Sequence, residues 1–288
     1  MVARFISSLI LYGSLLATLA LSAPTFLPPQ HLDSVKATMR PRGGGDIDST
    51  NNVNTIEPSA PIYPSSSPAD PLYSVEESQL RGAIYIPPTF QYGKGSKQTV
   101  ILAPGTAIPA GTTYAHNFAK LLSQSTFGDP LWLNIPGYTL GDIQVTAEHV
   151  AYAIHYISGI TGGQNVSVVT WSQGSLDMQW ALKYWPSTRG LVSDHIAISA
   201  DYHGTKLAYA ICPDFVQNPL LGCTPSVLQQ TYDSHFVNKL RSGGGDSAYV
   251  PTTTVYSAFD EIVQPQADPS ASAFLNDARA VGVSNNQL

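Results

Sequence analysis

The chain has 288 residues, 43% of them hydrophobic and only 12% charged, enough to bury a full core in what is commonly one domain for an α/β fold. Its formal net charge of −6 comes without any basic cluster. The electrostatic footprint that a phosphate backbone requires is missing, so nucleic acid is excluded as an expected partner.

At the N-terminus Arg4 precedes a mostly apolar stretch from Phe5 to Leu21, closed by the small residues Ala20, Ser22 and Ala23. This three-part layout predicts a secretory signal over residues 1–23, cut between Ala20 and Ala23, and hence an extracellular protein. The rival reading, a retained membrane anchor, needs about 20 apolar residues. Here Ser7, Ser8 and Gly13 interrupt a shorter run. Residues 24–71 are crowded with Pro, Ser, Asn and Gly and offer few spaced apolar side chains. They read as a pro-segment or disordered leader, with packing expected from Leu72 onward.

Strand-length apolar runs then recur at 99–103, 131–135, 166–170, 196–200 and 253–257, each followed by a turn signal. Between them, Val150, Ile154 and Ile157 share one helical face, and Leu176 to Tyr184 repeats that pattern. Runs that are apolar throughout, alternating with helices, predict a doubly wound, mostly parallel sheet covered on both faces. Ligands bind such sheets at the carboxyl ends of their strands. Gly105-Thr106, Ser172-Gln173, Asp201-Tyr202 and Asp260-Glu261 each close a predicted strand, so four segments converge on one rim.

Of these, Val168-Val169-Thr170-Trp171-Ser172-Gln173-Gly174 is the most informative, a β-branched run ending abruptly in Ser-Gln-Gly. It reads as a strand running into a nucleophile elbow, with Ser172 lifted clear of the sheet at a helix N-terminus that favours developing negative charge. Thr170 stands where the usual pentapeptide has its first glycine. A plain helix N-cap serine is the competing reading.

Thr-Trp-Ser-Gln-Gly resembles the elbow of the lipase B type of fungal serine hydrolases, which also carry Thr at that place. Further landmarks are similar in the same order: Leu102-Ala103-Pro104-Gly105-Thr106, Leu133-Asn134-Ile135-Pro136, Ala200-Asp201-Tyr202-His203-Gly204-Thr205, and Tyr256-Ser257-Ala258-Phe259-Asp260-Glu261-Ile262-Val263-Gln264-Pro265-Gln266. The resemblance covers about residues 75 to 268 and implies an α/β-hydrolase fold. It further implies an ester-hydrolysing or transacylating enzyme that needs no cofactor. Ser172 would be its nucleophile, Asp260 its triad acid, and Thr106 and Gln173 its oxyanion-hole donors. Trp171 and Asp201 match residues lining the family's substrate pockets, although Trp171 also reads as a core aromatic. Lipid or ester substrates and a lipid–water interface are the implied partners, and no protein partner is implied.

Other segments carry weaker signals. Residues 206–230 depart from the family pattern and hold Cys212, Phe215, Val216, Leu220, Leu221 and Cys223 in a proline-rich excursion. It reads as a cap over the rim, an ordinary helix-packing insert being the alternative. In an oxidising compartment the two cysteines are expected to pair. Asn165-Val166-Ser167 is an N-glycosylation sequon. His149 and His155 lie six residues apart and point to different helical faces, and no HExxH spacing occurs, so no metal is implied.

The resemblance places the triad histidine after the acid motif, on the loop beyond a further strand. The tail from Ala271 to Leu288 contains no histidine and reads as having no strand. The C-terminal part of the fold is therefore expected to be incomplete, and hydrolysis to lack its base. Of the histidines only His203 is placed near the rim by motif, at a position the family does not use catalytically, while His116 could approach through the loop after Thr106. A non-catalytic, secreted lipid- or ester-binding protein is the alternative function.

Overall fold

The apolar runs form strands because their side chains are buried on both faces, and a computed structural model of the chain shows what covers them. Residues 46–212, 223–268 and 270–288 are described. The expected signal peptide, the leader as far as residue 45, and Phe215, Val216, Leu220 and Leu221 of the expected cap lie outside the described residues.

Seven strands make one sheet in the order β1-β3-β2-β4-β5-β6-β7. They are β1 (Ile84–Tyr85), β2 (Gln98–Ala103), β3 (Gly128–Leu133), β4 (Val166–Trp171), β5 (Val192–Ile198), β6 (Thr252–Tyr256) and β7 (Val283–Gln287). Every neighbouring pair is parallel except β1 with β3. The successive side chains of a strand point to opposite faces, and two cores result. Ile101, Leu131, Leu133, Val166 and Val168 pack with α4 (Ile143–Ile160), α5 (Gly174–Tyr184) and α8 (His235–Arg241). Val100, Leu102, Trp132 and Val169 face the other way, onto α2 (Ala110–Tyr114) and α3 (Phe118–Gln124). This is the expected doubly wound α/β-hydrolase architecture, completed by α1 (Glu77–Gly82), α6 (Leu207–Ile211) and α7 (Pro225–Gln229).

The expected single apolar face of α4 is corrected: residues 146–158 are buried all round. The reason lies in what precedes the sheet. Glu148, buried on α4, accepts hydrogen bonds from Ser74 N (2.7 Å), Ser74 Oγ (2.5 Å) and Val75 N (3.0 Å). Tyr156 on the same helix donates to Ile56 O at 2.7 Å.

The domain boundary at Leu72 is corrected likewise, because residues 46–71 are already fastened to the domain. Trp132 Nε1 donates to Ile47 O (2.8 Å), and Asn134 Nδ2 donates to Ile47 O (2.8 Å) and Ser49 O (3.0 Å). Asp48 accepts from the amide and hydroxyl of Thr112, each at 2.7 Å. Asp70 accepts from Ser187 N and Oγ. Ile62 is buried in the larger core, and Tyr63 stacks on Tyr73 with ring centroids 6.2 Å apart. The segment binds through backbone carbonyls and short polar side chains, which is why its composition reads as unpacked.

A third correction concerns the C-terminus. Residues 283–287 form β7, paired in parallel with β6 from Thr252↔Val283 to Tyr256↔Gln287. The strand is Val-Ser-Asn-Asn-Gln and is partly exposed along its length, as suits the outermost strand of the sheet. Asn285 is tied in by its side chain, which accepts from Thr254 Oγ1 (2.9 Å) and Leu275 N (3.0 Å).

Candidate active site

Four loops meet at the carboxyl ends of β2, β4, β5 and β6, which run parallel. Ser172 follows β4 directly and has φ +52°, the strained left-handed conformation of a sharp strand-to-helix turn. Its amide donates to Ile198 O at 2.9 Å and its carbonyl accepts from Ser175 N at 2.9 Å, so the turn is clamped from both sides. Two close approaches fix its setting. A Cβ on Gly105 would stand 3.1 Å from Trp171 Cε3 and 3.2 Å from Ser172 Cβ. One on Gly174 would stand 2.6 Å from Pro104 O. Only glycines let the loop after β2 and the start of α5 close on the serine.

That loop carries Thr106, whose Oγ1 lies 2.8 Å from Gln173 Oε1 and 3.0 Å from Gln230 Oε1. Gln230 Nε2 donates to Gln173 Oε1 (2.9 Å), and Gln173 Nε2 donates to Thr139 O (2.8 Å). The two expected oxyanion-hole residues are thus joined by side chains beside the elbow. Further positive φ values occur at Ala107, Tyr138, Thr139 and Ser199. Three of these are bonded into the same corner, Ala107 N donating to Tyr138 O (2.8 Å) and Thr139 Oγ1 to Gly105 O (2.7 Å). Non-glycine residues held there cost on the order of 1–3 kcal/mol each, so this rim stores strain.

Trp171 is half-buried and packs against the core that faces α2 and α3. Asp201 is fully buried, with neither carboxyl oxygen hydrogen-bonded, and burial together with the nearby negative charge of Asp260 pushes it up to about 7. Asp260 lies after β6, and its Oδ1 accepts from Ile262 N and Val263 N, both at 2.9 Å, which fixes the carboxyl's orientation. Asn165, the sequon residue, is exposed.

Three side chains escape the sequence reading. Gln230 bridges Thr106 and Gln173 from the end of α7, with no motif to mark it. Asp177 is wholly buried on α5, where a charged residue in an apolar helical pattern is the only available signal. His195 in β5 is also wholly buried beneath the elbow, its Nε2 2.8 Å from Thr170 Oγ1, which in turn lies 2.7 Å from Ser175 Oγ. Thr170 therefore replaces the missing glycine with a bonded hydroxyl. Burial holds the His195 imidazole neutral, lowering it to about 3.

The remaining described histidines are engaged elsewhere or exposed. His155 contacts Tyr73 and Ser187, His149 the carbonyl of Val145, and His203 lies among Arg241, Asp246 and Asp233. His116 and His235 are exposed. Cys212 and Cys223 form a disulfide that joins the end of α6 to the approach to α7. Among the described residues no group of three metal-binding side chains occurs, and no helix is long and apolar enough to cross a membrane.

This architecture has counterparts among known proteins. The chain is 36% identical over 219 residues to "Lipase B" of Pseudozyma antarctica, a match spanning 75% of the chain and 61% of that protein. The crystal structure of Aspergillus fumigatus lipase B superposes with a TM-score of 0.77 at 56% identity, covering 84% of the chain and 56% of that structure. The chain belongs with the fungal lipase B-type α/β-hydrolases. It spans about three-fifths of the length of these lipase B relatives. No family model matches it.

Proposed function

We propose that this chain is the nucleophile-bearing part of a secreted serine lipase or carboxylesterase that acts on lipid esters through an acyl-enzyme at Ser172. The observation that carries this reading is the clamped elbow: a serine at φ +52° at the end of β4, with Thr106 and Gln173 side by side next to it. In this reading Ser172 Oγ attacks the ester carbonyl and passes its proton to a base. The new oxyanion is received by Thr106 and the Gln173 N–H. Collapse of the tetrahedral species expels the alcohol, and water or a second alcohol later releases the acid. Asp260, oriented by its own turn, serves as the acid that steadies a protonated base. Trp171 and Asp201 line the substrate pocket. The Cys212–Cys223 bridge supports the secreted assignment, and the exposed Asn165 supports use of the sequon.

A second reading, a non-catalytic ester- or lipid-binding protein, is favoured by one observation. Among the described residues, no histidine side chain has Ser172 as a hydrogen-bond partner. A fluorophosphonate probe separates the two. Covalent capture at Ser172, abolished in Ser172→Ala, is expected for the hydrolase. Saturable binding of ester or lipid with neither capture nor turnover would establish the binder.

A further inference from the structure

Asp177 sits one turn into α5, directly behind the elbow, and is fully buried together with Asp201. Their interactions can be counted. Asp177 Oδ2 and both oxygens of Asp201 make no hydrogen bond. Asp177 Oδ1 lies 2.5 Å from Thr146 Oγ1 on α4, and that hydroxyl is also 3.0 Å from Ile143 O. A threonine hydroxyl has one proton. Thr146 gives it to Asp177 Oδ1 over the shorter contact, which leaves Oδ2 of the buried carboxyl without a hydrogen bond.

The charges around the pair set its protonation. Asp177 faces Asp201 from the loop after β5, with Thr146 from α4 and the Gln173 amide from the elbow; Asp201 in turn faces Asp260 and Tyr202. Among the described residues neither carboxyl takes part in an ion pair. Two ionised, desolvated carboxylates would repel with no cation among the described residues paired to either, and the hydrogen bonds from Thr146 and Gln173 that favour the charged form of Asp177 are outweighed by its burial. Burial and the charge of Asp201 accordingly hold Asp177 well above the usual carboxylate range.

The other neighbour of Asp177 gives this proton a purpose. Gln173 has its Oε1 beside Thr106 and Gln230, and its Nε2 on Thr139 O, with Asp177 as a further polar neighbour of the same side chain. We propose that Asp177 is a neutral carboxylic acid that positions Gln173, and through it Thr106, by linking the elbow to Thr146 on α4. Its role as a positioning residue for catalysis rests on the hydrolase reading above. Its protonation and its hold on Gln173 do not.

The test therefore needs no turnover. Infrared spectroscopy of the intact chain near neutral pH should show a carboxylic C=O stretch that Asp177→Asn removes. Nuclear magnetic resonance of the Gln173 side-chain amide should show native shifts in Asp177→Asn, which preserves shape and neutrality, and displaced shifts in Asp177→Val. Melting temperature adds a third readout. A folded-state pKa above the unfolded value makes native stability fall as pH rises, so Asp177→Asn should gain on the native chain as pH rises above the unfolded value of about 4. An unchanged infrared spectrum, or parallel pH profiles for the two proteins, would overturn the neutral acid. Unmoved Gln173 resonances in Asp177→Val would overturn the positioning role. A missing fluorophosphonate label with all three results intact would instead count against the hydrolase reading alone.

Discussion

Thr106 reaches the elbow with a hydroxyl already shared between two glutamine side chains. Its one proton is engaged with those amide oxygens, so the hydroxyl must turn toward the ester when negative charge develops beside it, the circumstance in which one hydrogen bond matters most to a barrier. Thr106→Val should lower the rate of fluorophosphonate capture at Ser172 on the order of 100-fold, while the melting temperature changes little. Loss of capture with an equal loss of folded protein would show the residue to be structural only. His195 supplies a second expectation at this scale. Its folded pKa of about 3 lies below the unfolded value, so its contribution to stability is complete above about pH 6.5 and is lost as pH falls toward 3. Acid unfolding followed by circular dichroism should therefore begin below about pH 6 and flatten in His195→Leu. The rim residues Ser172, Gln173, Thr106, Asp201 and Asp260 were legible because each ends an apolar run in a recognisable motif. His195, Asp177 and Gln230 were not, because their partners lie 25, 31 and 124 residues away and nothing local records such a meeting.

At the scale of elements, the sheet's interior was readable and its edges were not. Strands β2 to β5 are buried on at least one face, and the β-branched runs of β2 and β4 answer to what covers them. The edges obey other rules: β1 has only two residues, and β7 is built of serine and amides that bond sideways to Thr254 and Leu275. Hydrophobic periodicity sees neither. The seam between β2 and α5 is equally silent in composition, yet it decides where the serine stands. Gly174→Ala would drive a methyl to within 2.6 Å of Pro104 O and 3.0 Å of Ala103 O, both backbone atoms that cannot swing aside. It should destabilise the chain by about 1–3 kcal/mol in urea titration. A neutral result would mean that the two elements can part without harm.

For the whole molecule, the contacts that fasten residues 46–71 outweigh any property of the segment itself. The Cys212–Cys223 bridge also acts at this scale, by restricting the unfolded chain. With the cysteines 11 positions apart in sequence, its loss in a Cys212→Ser, Cys223→Ser double variant should cost about 2–3 kcal/mol. Chemical denaturation with and without reductant would measure it, the reductant acting on the native chain only. The leader's bonds span far greater distances: Ile47 to Trp132 over 85 residues, Ile56 to Tyr156 over 100, and Asp70 to Ser187 over 117. Such separations carry a consequence in time. A ribosome delivers residues 46–71 first, but their binding surface exists only after Ser187 has been made and α4 has packed. The first-synthesised part of the described domain is thus the last to find its place. Nascent chains arrested before Tyr156 emerges should be cut within 46–71 by a protease that spares the same bonds in the released protein.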